Sequence, residues 1–489
     1  EYAIDDVYTG FKTGLHNNDI IYPSISSANK WYYNSSGIDD GVNNGIAGAK
    51  DKFNQGYSKN LYVPTNTDDL GIEYTELKPA IRVKRIIEAI EGEYSSINFS
   101  DDFFDTADFS DLYMFINKNK GAVQNLNDVN ESLIKGFTND SDFNTQSEIT
   151  DGFTLSLLGQ SHLYQGLSLD IETASPDNYT IIVLRNGNEI YREPLSDNNL
   201  VSLPYDNGNY TAYIAAETAI TFSKMEWVVT YELINTNFPT FYTKTYDTGL
   251  NSFTNSFDFN VPRQMPKMKI IDFLKGLFNM FNLTAYVEDG IIIVKTLNEF
   301  YADGNTIDLS SELDLGEVSI KRAELFSDIN LKFSDPKTFG VIHQNEVTQD
   351  DFGNLRFQAT SDGMNESVVF DGGKYEVKLP FEKLLFEKLS DYNSGDFIPF
   401  SHGWLANKDQ NETITKPILF YNINTEIVPA NGVTIGFKDK SEHLTFYNRP
   451  SNSTSSGSQT LHFNTEIDEF TGVTIDNSLY KLYYNDYIS

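Results

Sequence analysis

Between Pro266 and Lys295 the spacing of the apolar residues changes from that of a helix to that of a strand. Beyond Asn282 two short β-rich runs flank Glu288-Asp289-Gly290, which is a hairpin signal. Before Asn282 the apolar side chains recur every three or four residues, on one helical face: Met268, Ile271, Leu274, Leu277, Phe278 and Phe281. The stretch therefore predicts a helix, a strand, a tight turn and a second strand, and it contains no catalytic constellation.

The length and composition of the whole chain favour a β-rich protein of several domains. At 489 residues the chain exceeds one ordinary core, and about three domains are expected for this length. Aromatic residues make up 14% of the chain. Clusters of Asn, Ser, Thr, Asp and Gly separate the apolar runs, which favours short strands joined by polar turns.

Charge and residue usage exclude several classes of function. The formal net charge is −34, so an outer surface that grips nucleic acid is disfavoured, because such binding needs Lys and Arg at the phosphates. An acidic wall that DNA slides past stays compatible with this charge. The absence of cysteine excludes disulfides, thiolate catalysis and cysteine-ligated metals. No apolar run is long enough to span a bilayer.

No motif in the sequence indicates an active site. The histidines are isolated from one another: His16, His162, His343, His402, His443 and His462. The zinc-hydrolase spacing, the nucleophile elbow and the phosphate-binding glycine loops do not occur. The run Asp303–Glu312 departs from a calcium loop, and a polar turn is expected there. We predict that the chain is not an enzyme and has no catalytic, cofactor-binding or metal-binding residues, and no cofactor.

A second helix, which begins near Pro79, matches the first one without gaps. Arg85–Phe99 and Lys269–Leu283 share two isoleucines, one glycine and one asparagine at aligned positions: Ile86/Ile270, Ile87/Ile271, Gly92/Gly276 and Asn98/Asn282. Two amphipathic helices can share such a pattern by chance. The alternative is a duplicated domain, and the shared Gly and Asn at positions that are not apolar favour it. Duplication predicts that the two helices occupy equivalent places in two similar folds.

The unit 266–295 and its continuation through Thr296–Tyr301 and Ile307–Leu309 resemble the central part of tail hub proteins from phages of Bacteroidetes hosts. The terminal run Ser478–Ile488 is similar to a segment of the same proteins, whose chain continues further. The present chain lacks an initiator Met and stops inside a predicted helix, so we interpret it as trimmed at both ends. The resemblance implies a trimer in which two related tube-like domains per chain form a pseudo-six-fold ring.

These arguments predict a β-rich α+β fold with two tube-like β-barrel or sheet domains, each with a packed helix, and an inserted β-sandwich. The predicted segments are 1–150, a first tube-like hub domain with a linker after residue 105; 151–235, the sandwich; 236–340, a second tube-like hub domain; and 341–489, a mixed β-rich domain that ends in a helix. Two further local predictions are a short helix at Glu382–Leu389 and a mobile loop at Ser451–Thr460.

The resemblance implies a structural protein of the virion, located at the tail tip or baseplate. Its partners would be other copies in a homotrimer, tail tube proteins and spike or fibre proteins, with DNA as passing cargo in the ejection channel and no membrane-spanning segment. One alternative is a carbohydrate-binding or host-receptor-binding tail fibre or adhesin, suggested by the aromatic residues of the sandwich. Another is a polysaccharide-degrading enzyme that uses a pair among its 70 carboxylates.

Overall fold

A computed structural model gives the fold of this chain. The structure describes the following residues: 2–27, 29–36, 58–63, 70–123, 131–134, 136, 152–155, 162–174, 178–216, 220–233, 240–250, 252–253, 259, 261–304, 306–308, 310–312, 326–358, 372–427, 432–438 and 440–488.

Helices are few and mostly short. They are α1 (Ile4–Lys12), α2 (Val83–Glu93), α3 (Asp101–Phe104), α4 (Ala107–Ser110), α5 (Val261–Gln264), α6 (Ile270–Met280), α7 (Leu297–Ala302), α8 (Phe339–Thr348) and α9 (Asn485–Ile488). A 3₁₀ turn at Tyr74–Glu76 and a π-helical segment at Tyr480–Tyr484 complete the helical elements of the described chain.

Strands dominate the described chain. The first group is β1 (Ile20–Ile21), β2 (Ile25–Ser26), β3 (Lys30–Tyr32), β4 (Ser58–Asn60), β5 (Ala80–Arg82) and β6 (Leu112–Phe115). The second is β7 (Glu131–Ile134), β8 (Phe153–Leu155), β9 (His162–Thr173), β10 (Asn178–Arg185), β11 (Asn188–Ser196), β12 (Asn199–Leu203), β13 (Gly208–Ala215), β14 (Ile220–Leu233), β15 (Thr240–Asp247) and β16 (Ser252–Phe253). The third is β17 (Leu283–Glu288), β18 (Ile291–Thr296), β19 (Phe326–Lys332), β20 (Leu355–Gln358), β21 (Gly373–Lys378), β22 (Phe386–Ser390), β23 (Phe397–Trp404), β24 (Ile418–Glu426), β25 (Phe446–Ser451), β26 (Glu466–Ile467) and β27 (Thr474–Ile475). The predicted β-rich α+β class is confirmed.

The chain divides into two compact units, of which the first comprises residues 1–3 and 125–259. Two five-stranded antiparallel sheets form it. In one, β10 pairs with β11 and β13, and β13 also pairs with β7 and β8. In the other, β9 pairs with β12 and β14, and β14 also pairs with β15 and β16. Strand residues from both sheets share one buried core, with Trp227 and Phe153 in edge-to-face contact at 4.5 Å. This unit contains the segment predicted as a β-sandwich, 151–235, and extends past both of those bounds, because β7 and β15 also belong to its sheets.

The second unit comprises residues 4–124 and 260–489. Its largest sheet has the order β1-β5-β6-β24-β25, so that residues far apart in sequence pair side by side. Smaller sheets are β20-β19-β21, β2-β23-β22, the hairpin β17-β18 and the pairs β3-β4 and β26-β27. One hydrophobic cluster contains Val83 and Ile87 of α2 together with Phe273 and Leu277 of α6. Both aligned helices therefore contribute to one core.

The prediction that the two helices occupy equivalent places is wrong at the level of individual residues, because aligned positions differ in burial and packing. Ile87 is 2% exposed, whereas Ile271, its aligned partner, is 53% exposed. A side chain at Gly276 would collide with Phe381, whereas nothing lies within 4 Å of the corresponding position at Gly92. Identical residues at aligned positions therefore have different surroundings in the two helices. The division of the chain into two hub domains stays a prediction.

Three local predictions are also wrong. The predicted linker after residue 105 contains β6, which is buried and lies between β5 and β24. The helix predicted at Glu382–Leu389 overlaps strand β22, which pairs with β23. The loop predicted to be mobile at Ser451–Thr460 is held by hydrogen bonds, including Thr454 N–H to the Gln459 carbonyl at 3.0 Å. In each segment, pairing with distant strands or polar groups decides the conformation.

Candidate functional site

The hairpin β17–β18 presents an apolar surface and one free edge. Ile292 of β18 pairs with the segment after α2: Ser100 N–H donates to the Ile292 carbonyl, and Ile292 N–H donates to the Asn98 carbonyl, both at 2.8 Å. Strand β17 pairs only with β18 among the described strands. Its outer edge can therefore accept another strand.

Exposed apolar side chains lie on the hairpin and on the helices that precede and follow it. Val287 in β17 is 71% exposed, and Ile291 opens the next strand. Helix α6 contacts β17 and exposes Ile270 and Ile271 at its first turn, while α7 contacts both strands and exposes Tyr301. We call these five residues the hairpin patch. Isolated exposed apolar residues are ordinary, but a group on contacting elements marks an interaction surface.

Three lysines flank the hairpin patch in a chain of net charge −34. Lys267, Lys269 and Lys275 are exposed, and none of them forms a salt bridge with another described residue. An acidic molecule repels a second copy of itself unless opposite charges meet at the contact. Asp272, Glu288 and Asp289 are also exposed on these elements, so this surface presents charges of both signs to a partner.

A cavity of about 440 Å³ lies elsewhere in the second unit. Its walls come from α8, β22, β23, β25 and the segment 462–470, and they include the aromatic side chains Phe352, Phe386 and Phe470. Thr348, Thr465 and Ile467 also line it and are exposed, so the cavity reaches the surface. Its volume falls within the ~300–1,000 Å³ typical of ligand pockets.

Two buried charged side chains, Lys383 and Glu466, lie at this cavity. Burial lowers the pKa of Lys383 to about 7, although the neighbouring Glu466 carboxylate opposes that shift. Burial likewise raises the pKa of Glu466, which lines the cavity. The Lys383 ammonium donates to Asn452 Oδ1, and the Thr460 hydroxyl donates to Glu466. Both ions thus have hydrogen-bond partners, as buried charges require.

Two further charged side chains of the cavity, Asp468 and Arg449, have partners. Asp468 accepts from the Ser453 hydroxyl and from Thr471 N–H, each at 2.8 Å. The Arg449 guanidinium lies 4.2 Å from the centre of the Phe470 ring, and its Nε donates to the Thr425 hydroxyl at 3.3 Å. Burial lowers the pKa of Arg449.

Three neutral side-chain atoms of cavity-lining residues are buried without a hydrogen-bond partner: Oγ of Ser401, Nε2 of His462 and Oδ1 of Asn464. His462 is itself fully enclosed, and burial together with the charge of Lys383 holds its pKa well below the ordinary value, so the imidazole is neutral. An unsatisfied buried polar atom costs about 1–3 kcal/mol.

The sequence analysis predicted no site residues, and only the elements of the first of these two sites had drawn attention. Lys269–Leu283 and the hairpin were singled out from their periodicity, and the structure makes them a surface. The cavity was missed because its residues come from segments that look unremarkable in sequence, including the serine-rich run 451–460. His462 was noted only as isolated. A polar run that contains both Asn452 and Thr460 could have signalled a buried network had its strand partners been known.

The remaining predictions of sites have simple outcomes. In Asp303–Glu312, residues 303 and 310–312 lie in turns, whereas 304 and 306–308 belong to no regular element. Among the described residues there is no group of acidic and histidine side chains suited to a metal ion. Aromatic residues of the sandwich such as Tyr179, Tyr210 and Trp227 are buried in its core. No helix among the described residues combines the length and apolar character needed to cross a membrane.

Comparison with known proteins does not assign the chain to a family. No protein-family model matches its sequence, and no curated protein matches it significantly.

Proposed function

We propose that the chain is a non-enzymatic structural component of a phage tail tip. Copies of it form a trimeric, pseudo-six-fold ring that joins the tail tube to a spike or fibres and surrounds the DNA channel. The observation that carries this proposal is the free edge of β17 beside the hairpin patch. The occupant of this surface is a second copy of the chain.

The chemistry of the hairpin patch supports self-association. A strand edge supplies backbone hydrogen bonds to a neighbour, and Val287 and Ile271 supply apolar area. Lys267, Lys269 and Lys275 can each pair with a carboxylate of the next copy. An edge that pairs with a different surface of its neighbour generates a ring when the rotation closes. An acidic channel wall would let DNA pass without binding.

Mass photometry and rotational averaging of projection images test the proposal. The purified chain should assemble into particles of three times its mass of 55.3 kDa, with three-fold averages. Val287→Asp should weaken assembly at least about ten-fold, about 1.4 kcal/mol, because it places a charge in the contact. Val347→Asp is the matched control, since Val347 is 65% exposed and lies on α8, outside the hairpin patch. A monomer at every concentration, or immunogold label on the capsid of virions, would exclude the tail-tip ring.

A further inference from the structure

We propose that Lys383 and Asn452 become joined by a covalent isopeptide bond, an amide between Nζ of the lysine and Cγ of the asparagine. The two residues lie 69 positions apart in the sequence, and both are buried in the second unit. Nζ of Lys383 donates a hydrogen bond to Oδ1 of Asn452, and the covalent bond would replace this contact. The inference concerns a single chain, so it does not depend on ring formation.

The hydrogen bond places the reacting atoms close together. Lys383 Nζ lies 2.5 Å from Asn452 Oδ1, and a C=O bond is about 1.2 Å long, so Nζ lies at most about 3.7 Å from Cγ. Reactive conformations hold the attacking and attacked atoms about 3–3.5 Å apart. On the other side of the amide group, Nδ2 donates to the Leu384 carbonyl at 3.4 Å. The two hydrogen bonds fix the orientation of the amide plane.

The interior position of Lys383 favours the nucleophilic form of its side chain. Only the neutral amine has the lone pair that attacks a carbonyl carbon. Burial lowers the pKa of Lys383 to about 7, so a large share of the side chain is the neutral amine at neutral pH. Formation of the amide also removes a charge from the interior, which is favourable because a buried ion is costly.

Atoms and protons balance without an oxidant or a second reactant. The Lys383 amine attacks Cγ of Asn452, the Cγ–Nδ2 bond breaks, and Nδ2 leaves as ammonia. One proton must therefore pass from Nζ to Nδ2. Asn452 lines the cavity, and the cavity reaches the surface, which gives the ammonia a path to solvent.

Glu466 is the group that carries this proton. It lies near enough for its charge to act on Lys383, and burial raises its own pKa, so a protonated carboxyl group is accessible to it. The Thr460 hydroxyl donates to Oε2 of Glu466 and lies 3.3 Å from the backbone carbonyl oxygen of Asn452, which ties the carboxyl group to the Asn452 segment. Oε1 of Glu466 accepts no hydrogen bond from a described residue and is free to exchange the proton.

The cross-link would join two sheets of the second unit. Lys383 precedes β22 and Asn452 follows β25, and these strands belong to different sheets. A covalent bond between them closes a long loop and restricts the unfolded chain, as a disulfide does. The chain contains no cysteine, so it has no disulfide that could do the same.

Mass spectrometry of the denatured full chain tests the proposal. The intact mass should be lower than the sequence mass by one ammonia molecule. Trypsin should not cut after Lys383, and it should release a branched peptide that joins the fragment containing Lys383 to the fragment containing Asn452. A succinimide at Asn452 loses the same mass but gives no branched peptide. An intact mass equal to the sequence mass, or a loss of ammonia without the branched peptide, would overturn the proposal.

Variants test the role of each side chain. Asn452→Ala removes the acceptor, and Glu466→Gln removes the proton carrier, so both should lack the branched peptide. Glu469→Gln is the matched control, because Glu469 is another carboxylate of the same cavity wall, and it should retain the branched peptide. Circular dichroism checks that each variant is folded, and the result for the native chain decides by itself where a variant does not fold. Persistence of the branched peptide in Glu466→Gln, or its loss in Glu469→Gln, would overturn the role of Glu466.

Discussion

Gly276 packs directly against Phe381. A Cβ atom on Gly276 would lie 2.8 Å from Cε2 of the Phe381 ring and 2.6 Å from Cγ of Pro380. Phe273, one turn earlier in α6, meets the same ring edge-on at a centroid distance of 6.0 Å. This close approach holds the helix that precedes the hairpin against the segment after β21, and it requires a residue without a side chain.

Gly276→Ala is therefore expected to destabilise the protein by about 1–3 kcal/mol, the usual cost of overpacking a core. Gly92→Ala at the aligned position of α2 is the matched control, because nothing lies within 4 Å of its Cβ. It should be neutral or stabilise by up to about 1 kcal/mol, as alanine favours the helix. Urea unfolding measures both changes. Equal effects at the two glycines would contradict the different surroundings described above.

Burial of Lys383 with Glu466 predicts strong energetic coupling. Lys383→Met or Glu466→Gln alone should cost about 3–5 kcal/mol of unfolding free energy, because each leaves its partner buried without the opposite charge. The double variant should cost clearly less than the sum of the two. Chemical unfolding of all four proteins gives the coupling energy. Additive costs would show that the two side chains do not interact.

His402 predicts a loss of stability in acid. Burial, together with the charge of Lys30, lowers its pKa from 6.5 to about 3, and its Nε2 accepts a 3.4 Å hydrogen bond from Trp31 N–H. In the unfolded chain the His402 imidazole binds a proton below about pH 6.5, whereas in the folded chain it binds one only below about pH 3. The contribution of neutral His402 to the free energy of unfolding is thus fully present above pH 6.5. It declines as the pH falls from 6.5 towards 3, by up to about 1.4 kcal/mol per pH unit.

The His402→Gln variant should accordingly lose less stability than the native chain between pH 6.5 and pH 4, even if it starts lower. His343→Gln is the control, since His343 is exposed on α8. Unfolding free energies measured across this range give the two slopes. Parallel curves for the native chain and His402→Gln would mean that this imidazole does not titrate abnormally.

Trp227 anchors the sandwich core. It is fully buried between the two sheets and contacts Phe153, so Trp227→Ala should destabilise the first unit by about 3–5 kcal/mol. Phe241→Ala on the exposed edge strand β15 should change stability little. Thermal unfolding followed by circular dichroism measures both. An unchanged unfolding temperature for Trp227→Ala would contradict its role in the core.

Periodicity in the sequence predicted α6 and the hairpin β17–β18 as elements, although Ile271 of the predicted apolar face is exposed and Phe273 is buried instead. The apolar spacing to Phe281 and the turn at Glu288-Asp289-Gly290 depend on neighbours in the chain, and Asp289 and Gly290 do adopt the positive φ angles that such a turn needs. The β-rich class and the inserted sandwich followed from similar local patterns. These properties were predictable because the interactions that determine them act over a few residues.

Long-range pairing decided the rest. The sequence by itself determined which segments could form a helix or a strand, but not that β6 would lie between β5 and β24, or that α2 and α6 would share a core. It also could not show that Lys383, Asn452 and Glu466 would lie close together at one cavity. Burial and hydrogen bonding between residues distant in the chain depend on how the sheets assemble, and only the tertiary structure contains that information.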